Sequence, residues 1–265
     1  MKTVKLLAGA GVVALGAAAP LAAGVAVSAI RARDSWLRED SDQLAHDSGV
    51  FGAEHDGEPL RLVMLGDSLA VGVGAGSPDH TVGARLARSL AAMLARPVEL
   101  SNFAIAGSES KDLPEQLERV TAMPEPPDLA VIIVGGNDVL HRARIAASAR
   151  QLYRAALDLK SLGCKVVMAT CPDLGTVRLA IQPVRYYLHR MSRRLAIAQM
   201  LVVLRAGGRP VPLLNTVGPI FWHKPKLMFS TDHFHPSALG YARAAAVLLP
   251  SVSAAVGATT VRRTR

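Results

Sequence analysis

The stretch Leu60-Arg61-Leu62-Val63-Met64-Leu65-Gly66-Asp67-Ser68-Leu69 decides the fold of this chain of 265 residues. It is a short, mostly apolar run that ends in glycine and continues into polar residues. Such a run is typical of a strand that is buried on both faces of a parallel sheet. The sequence predicts this strand and four more, at 60–65, 98–103, 129–134, 165–170 and 211–215. The 98–103 run fits least well, because Glu99 and Ser101 interrupt it.

The segments between these runs have apolar residues at helical spacing. They predict helices at 82–94, 113–120, 145–162, 186–206 and 236–247. Strands that alternate with helices of this length indicate a parallel sheet with helices on both faces. The expected fold class is therefore α/β, with a five-stranded parallel sheet.

Four polar motifs fall where predicted strands end or where the last helix begins. Ser68 follows the first strand, residues 102–107 follow the second, residues 135–138 follow the third, and residues 232–235 precede the last helix. Ligands of such sheets bind beyond the carboxyl ends of the strands. Each motif alone fits an ordinary turn, but four motifs on one edge indicate a site.

Ser68, His235 and Asp232 are the residue types of a nucleophile, a base and a carboxylate that orients the base. A serine hydroxyl is a weak nucleophile until a histidine takes its proton, and the histidine needs a third group to fix its tautomer. The Asn137 side chain and the backbone N–H groups of Ser68 and Gly107 are candidate donors to a developing oxyanion. The set predicts a serine esterase or acyltransferase.

Two alternative interpretations of these and neighbouring residues involve a cofactor. A metal site would use the carboxylate and histidines Asp232, His233, His235 and His223. No further cluster of His, Cys or carboxylate side chains completes its coordination sphere in the sequence, so no metal is expected. The glycines Gly72, Gly74 and Gly76 do not have the spacing of a dinucleotide fingerprint. No organic cofactor is expected either.

The four motifs, in this order, resemble those of the SGNH (GDSL-type) hydrolase superfamily, most closely its exported single-domain bacterial esterases and lipases. The resemblance covers roughly residues 60–249. It implies a flavodoxin-like three-layer α/β/α fold, no cofactor, and the roles already assigned to Ser68, His235 and Asp232. It also implies an oxyanion hole made by the N–H groups of Ser68 and Gly107 and the side chain of Asn137. The chain departs from many relatives at Ala104, where they have glycine, but this position lies outside the oxyanion donors.

The substrate is the least determined feature. Four apolar residues shortly before the histidine motif fit either an acyl slot or the edge of the core: Phe221, Trp222, Met228 and Phe229. Short- to medium-chain carboxylic esters, as small molecules or lipids, are favoured. An O-acyltransferase or deacylase acting on cell-envelope glycans or lipids would use the same residues. A non-catalytic envelope-binding protein would keep the fold without turnover.

The N-terminus predicts export. Lys2 and Lys5 precede an uncharged, mostly apolar segment at 6–30, which fits a signal peptide and is also long enough to span a bilayer. Residues 1–31 are therefore expected to be a signal peptide or an anchor, 32–58 a linker, 59–256 the hydrolase domain and 257–265 a basic tail. The expected location is the cell envelope or the medium, and association with a membrane or cell wall stays open.

Composition adds two expectations. The net charge of +9 fits attraction to an anionic surface, but the basic residues are scattered, which favours solvated faces. Aromatic residues are only 4%, which argues against a base-stacking surface and hence a nucleic-acid partner. Cys164 and Cys171 bracket a predicted strand whose ends lie ~20 Å apart. A disulfide tolerates less than ~7 Å between Cα atoms, so both thiols are expected to be free.

Overall fold

The computed structural model describes residues 47–263, with side chains up to residue 257. Its sheet has the strand order β1-β3-β2-β4-β5-β6. The strands are β1 (Gly49–Phe51), β2 (Leu60–Gly66), β3 (Val98–Asn102), β4 (Leu129–Ile133), β5 (Lys165–Ala169) and β6 (Arg209–Val211). Strands β2 to β6 are parallel, and β1 pairs antiparallel with β3. The predicted α/β class is confirmed, with six strands rather than five.

The additional strand, β1, lies in the segment 32–58 that we expected to be a linker. It pairs with residues 98–100, and Asp47 just before it is only 3% exposed. Three residues are too few to show an alternating pattern, so the sequence did not reveal this strand. In β3, Glu99 is exposed, which agrees with the weaker apolar pattern of this strand.

The last strand occurs earlier than predicted. β6 ends at Val211, so the prediction of a strand at 211–215 is wrong. After Pro212 the chain turns into a one-turn helix, in which the N–H groups of Asn215 and Thr216 donate to the Pro212 carbonyl. Pro210 within β6 has no N–H for the ladder, which an edge strand tolerates.

Ten α-helices and three short 3-10 helices are present in the described part of the chain. Five correspond to the predicted ones: α2 (Val82–Leu94), α3 (Leu113–Thr121), α5 (Ile145–Ser161), α6 (Val184–Arg205) and α10 (Ala238–Arg263). Five are shorter and were not predicted: α1 (Ser68–Val71), α4 (Gly136–Leu140), α7 (Leu213–Thr216), α8 (Gly218–His223) and α9 (Pro225–Met228). Helix α10 continues past Pro250, so its backbone runs beyond the predicted end at 247 and into the segment expected to be a tail.

The sheet separates two apolar cores, because successive side chains of a strand point to opposite faces. In β2, Leu62 and Met64 belong to the core that also contains residues of α2 and α10. Val63 and Leu65 belong to the core that contains residues of α3 and α5. Helices therefore cover both faces of the sheet, as a three-layer α/β sandwich requires.

Helix α10 contains a segment, Ala238–Gly257, that is long and apolar enough to cross a membrane by length and composition. In this protein 39% of its most apolar window is buried, and Tyr241 and Leu248 lie in the core. The segment is therefore weak evidence for a membrane span. The predicted signal peptide or anchor at 1–31 lies outside the described residues.

Both cysteines are free and buried, as predicted. Burial raises the pKa of the Cys164 thiol to about 12. Burial also raises the pKa of Cys171 well above its ordinary value. Both side chains are therefore neutral, weakly nucleophilic parts of the core.

Candidate active site

Ser68 sits at the first position of α1, directly beyond the end of β2. Gly66 adopts a φ of 134°, and a side chain there would collide with the carbonyl of Ile133 on β4, so this turn requires glycine. The Asp67 carboxylate accepts the Leu69 N–H at 3.0 Å and caps the helix. The first N–H groups of a helix have no partner within it, and the Ser68 N–H has no acceptor among the residues described.

Ser68, His235 and Asp232 form one hydrogen-bonded chain. His235 Nε2 lies 3.0 Å from Ser68 Oγ, and His235 Nδ1 lies 2.6 Å from Asp232 Oδ2. Ser68 is 5% exposed and His235 is 1% exposed, so bulk water does not compete for these contacts. The arrangement allows the serine proton to pass to Nε2 while the carboxylate holds the ring at Nδ1.

The loop around Asp232 fixes its carboxylate. Oδ1 accepts hydrogen bonds from Ser230 Oγ at 2.6 Å, from the Phe234 N–H at 2.8 Å and from the His235 N–H at 2.9 Å. Burial by itself would raise the pKa of Asp232, but the hydrogen bonds from His235 and Ser230 and the charge of His235 hold it well below 3.8. The group is therefore an ionised acceptor at neutral pH. The sequence analysis missed Ser230, whose signal is a hydroxyl two residues before an aspartate in a turn.

Asn137 and Gly107 occupy different positions at the site. Asn137 lies in α4 and lines the same cavity as Ser68 and His235. Its Nδ2 donates to the Ser108 carbonyl at 3.0 Å, which orients the amide, and Nδ2 carries a second N–H. Gly107 lies in the turn closed by the Ser108 N–H and the Ile105 carbonyl and has a φ of 81°. It is not among the residues that line the cavity.

Two buried glutamines hold the strand ends that carry the site. Gln116 accepts the Gly66 N–H at 2.7 Å and donates to the Gly66 carbonyl at 2.8 Å. Gln199 accepts the Cys171 N–H at 2.7 Å and donates to the Val134 carbonyl at 2.9 Å. The sequence analysis missed both. Their signal is a glutamine on the apolar side of a helix, and the partners that they find are set by tertiary structure.

An apolar cavity opens beside Ser68 and His235. Its volume is about 80 Å³, and its apolar lining includes Val177, Leu213, Val217, Phe221 and Phe229. The last two rings pack edge to face, with centroids 5.0 Å apart.

The structure places the four predicted substrate-binding residues in three environments. Phe221 and Phe229 line the apolar cavity. Met228 is buried in the core. Trp222 is 42% exposed and lines a second, wider cavity of about 510 Å³, which shares Asp173 and Gly218 with the first.

Comparison with known proteins identifies relatives by sequence. Residues 64–243 match the family model of GDSL-like lipases and acylhydrolases. A GDSL-like esterase of Mycobacterium tuberculosis is 41% identical over 189 residues, which are 71% of this chain and 60% of that protein. The chain thus spans less than two thirds of the length of this curated relative.

Solved structures share the fold. A crystal structure of TesA has a TM-score of 0.58 at 22% identity, over 74% of this chain and 99% of that one. The lipase/acylhydrolase from Enterococcus faecalis has a TM-score of 0.56 at 23% identity, over 73% of this chain and 95% of that one. Because the family model matches more than half of the residues, this chain belongs to the GDSL-like lipase/acylhydrolase family. The predicted family is confirmed.

Proposed function

From this family membership, we propose that the chain is a serine esterase or lipase that hydrolyses carboxylic esters through an acyl-enzyme. The observation that carries the proposal is the hydrogen-bonded chain from Ser68 Oγ through His235 to Asp232 Oδ2, beside an apolar cavity. A nucleophile, a base and an orienting group in hydrogen-bond reach are what acyl transfer to serine requires.

In the first step, Ser68 Oγ attacks the ester carbonyl carbon and His235 Nε2 takes the hydroxyl proton. The carbonyl electrons move onto the oxygen, which becomes an oxyanion. Asp232 stays ionised and stabilises the imidazolium, because its pKa lies well below 3.8. The carbon–oxygen bond to the alcohol then breaks, and His235 donates its proton to the leaving oxygen.

The proposed oxyanion donors are the Ser68 N–H, the Gly107 N–H and the Asn137 side chain. Ser68 and Asn137 border the cavity, and Asn137 is oriented by Ser108. Fixed donors of this type act where charge develops in the transition state, and each contributes about 100-fold or more to turnover. Gly107 is proposed from the family resemblance and from its position next to Ser108.

In the second step, water takes the place of the alcohol. His235 removes a proton from the water as it attacks the acyl carbonyl, and the oxyanion forms again in the same place. Collapse of this intermediate releases the carboxylic acid and returns the proton to Ser68 Oγ. The apolar lining of the cavity beside Ser68 supports short- to medium-chain acyl groups as substrates.

The decisive experiment measures hydrolysis of p-nitrophenyl esters of graded acyl length by the full chain and by Ser68→Ala. We expect turnover to fall by about 10⁴-fold or more in the variant. Ser161→Ala is the matched control, because this exposed hydroxyl lies at the end of α5 and bonds the Asp158 carbonyl. Full activity in folded Ser68→Ala, or no activity in folded wild type, would refute the proposal.

Export to the cell envelope is a second proposal about this chain. It is supported by Lys2, Lys5 and the uncharged segment at 6–30. The intact mass of the protein recovered from the envelope and from the medium tests it. Recovery only from the cytoplasm, uncleaved, would count against export.

A further inference from the structure

The second cavity has a larger share of polar side chains in its lining than the first. Its lining includes Asp173, Arg185, His189, Asn215, Trp222 and His223. It is also wider, at about 510 Å³ against about 80 Å³. The two cavities adjoin each other, because both are lined by Asp173 and Gly218.

Two guanidinium groups lie over the ring of Trp222: that of Arg185, which lines this cavity, and that of Arg178, which does not line it. The Arg185 guanidinium carbon lies 4.5 Å from the centroid of the indole, and that of Arg178 lies 5.2 Å from it. Arg178 Nη2 donates to the Trp222 carbonyl at 2.8 Å, and Arg185 Nε donates to the Gly175 carbonyl at 3.2 Å. These bonds orient both side chains and leave the Nη1 and Nη2 groups of Arg185 without an acceptor among the described residues.

No carboxylate in the described part of the chain forms an ion pair with either arginine. The nearby Asp173 is already committed, since Oδ2 pairs with His189 Nδ1 at 2.9 Å and Oδ1 accepts the Gly175 N–H at 2.9 Å. Burial and then the positive charge of Arg178 lower the pKa of Arg185, although the negative charge of Asp173 opposes this change. Two cations thus lie close to one indole ring, and a bound anion would relieve their repulsion.

We propose that the second cavity binds the alcohol half of the ester, and that Arg185, assisted by the nearby charge of Arg178, binds a phosphate or carboxylate group on that half. This inference rests on the proposed esterase function. The planar fork of a guanidinium matches two oxygens of such a group. The apolar cavity, which Ser68 lines, takes the acyl chain. If the two arginines and Trp222 had only a structural role, kcat/KM would not depend on the charge of the substrate.

The test compares three octanoyl esters with the full chain: monooctanoylglycerol, its phosphate monoester and the octanoyl ester of glyceric acid. We expect kcat/KM to be at least about tenfold higher for one acidic ester than for the neutral one, with the advantage falling as salt is added. The acidic ester with the higher kcat/KM shows whether the bound group is a phosphate or a carboxylate. Arg185→Gln and Arg178→Gln should each lower the acidic-to-neutral ratio severalfold, Arg185→Gln the more.

Arg193→Gln is the matched control, because it removes one positive charge from an exposed position on the same helix, α6, about two turns away. It should leave the ratio unchanged. The inference would be overturned by equal kcat/KM values for acidic and neutral esters in the wild type, or by an unchanged acidic-to-neutral ratio of kcat/KM in both arginine variants. In either case, Ser68-dependent hydrolysis of the neutral ester would leave the esterase proposal intact. Hydrolysis that persists in Ser68→Ala would overturn the proposed function itself.

Discussion

Two aspartate–histidine pairs lie near the apolar cavity, and only one of them adjoins the serine. His235 Nδ1 is 2.6 Å from Asp232 Oδ2, and His189 Nδ1 is 2.9 Å from Asp173 Oδ2. The His235 side chain is 1% exposed, whereas that of His189 is 40% exposed. His235 Nε2 meets Ser68 Oγ, while Nε2 of His189 has no hydrogen-bond partner in the described region. The same two groups therefore form a candidate catalytic pair in one place and a partly solvated contact in the other.

The difference shows that a histidine–carboxylate contact alone does not define an active site. The Asp232 carboxylate accepts backbone N–H groups from its own loop, and the buried ring of His235 has one orientation. Burial strengthens the interaction between these groups, because fewer water molecules screen it. In the other pair, Asp173 and His189 are 16 residues apart, and solvent reaches the ring. Packing against Ser68 is what distinguishes the first pair.

The largest effect expected separates the two histidines. His235→Ala removes the base and should lower kcat for a neutral p-nitrophenyl ester by about 10⁴-fold or more. His189→Ala removes a ring of the same chemistry from the wider cavity and should change kcat at most a few-fold. Steady-state kinetics on both variants, with circular dichroism to verify folding, measures the contrast. A comparable loss in both variants would mean that the two pairs act together.

A second comparison uses the carboxylates. Asp232→Asn keeps the shape of the side chain but cannot stabilise a charged His235, so kcat should fall by about 10³- to 10⁴-fold. Asp173→Asn can still accept the Gly175 N–H and should change kcat less than tenfold. Measuring kcat for the neutral ester in both variants tests whether Asp232 or Asp173 supports catalysis. Near-wild-type kcat in folded Asp232→Asn would reject Asp232 as the orienting carboxylate.

The smallest effect concerns acid stability. The pKa of Asp232 is lower in the folded state than its ordinary value of 3.8. The contribution of this carboxylate to folding stability is therefore fully present above pH 3.8 and is lost as the pH falls through the lower folded pKa. The free energy of unfolding of the wild type at pH 7 should therefore be larger than that of Asp232→Asn by about 1 kcal/mol, after solvent screening is taken into account. This margin should shrink in acid. Urea unfolding at neutral and acidic pH measures it.

Ser68→Ala is the control for the stability measurement, because it keeps the aspartate–histidine contact and should keep the acid-dependent loss. If the margin over Asp232→Asn were constant with pH, the carboxylate would not be the titrating group.

Several parts of this structure were predictable because their causes are local. An apolar run predicts the strand at 60–65. Its end is predicted by Gly66, a position at which any side chain would collide with the neighbouring strand. Asp232 and His235 are three residues apart, so one loop can join them whatever the rest of the chain does. The free cysteines followed from the length of an extended segment.

Other parts depended on contacts that no local pattern encodes. Strand β1 is visible only once Val98 and its neighbours offer an edge to pair with. Gln116 and Gln199 resemble ordinary helical residues until their amides meet Gly66, Val134 and Cys171. The contact between Arg178 and Trp222 joins residues that are 44 positions apart in the chain.

The sequence by itself determined the family, the parallel sheet and the three residues of the candidate triad, because periodicity and short motifs are local properties. Only the tertiary structure decided that Ser68 and His235, 167 residues apart, lie 3.0 Å from each other. It also decided which of the four predicted substrate-binding residues line the apolar cavity and which lie in the core or the wider cavity. These outcomes depend on packing between distant segments, where burial and geometry, rather than residue type, assign each side chain its role.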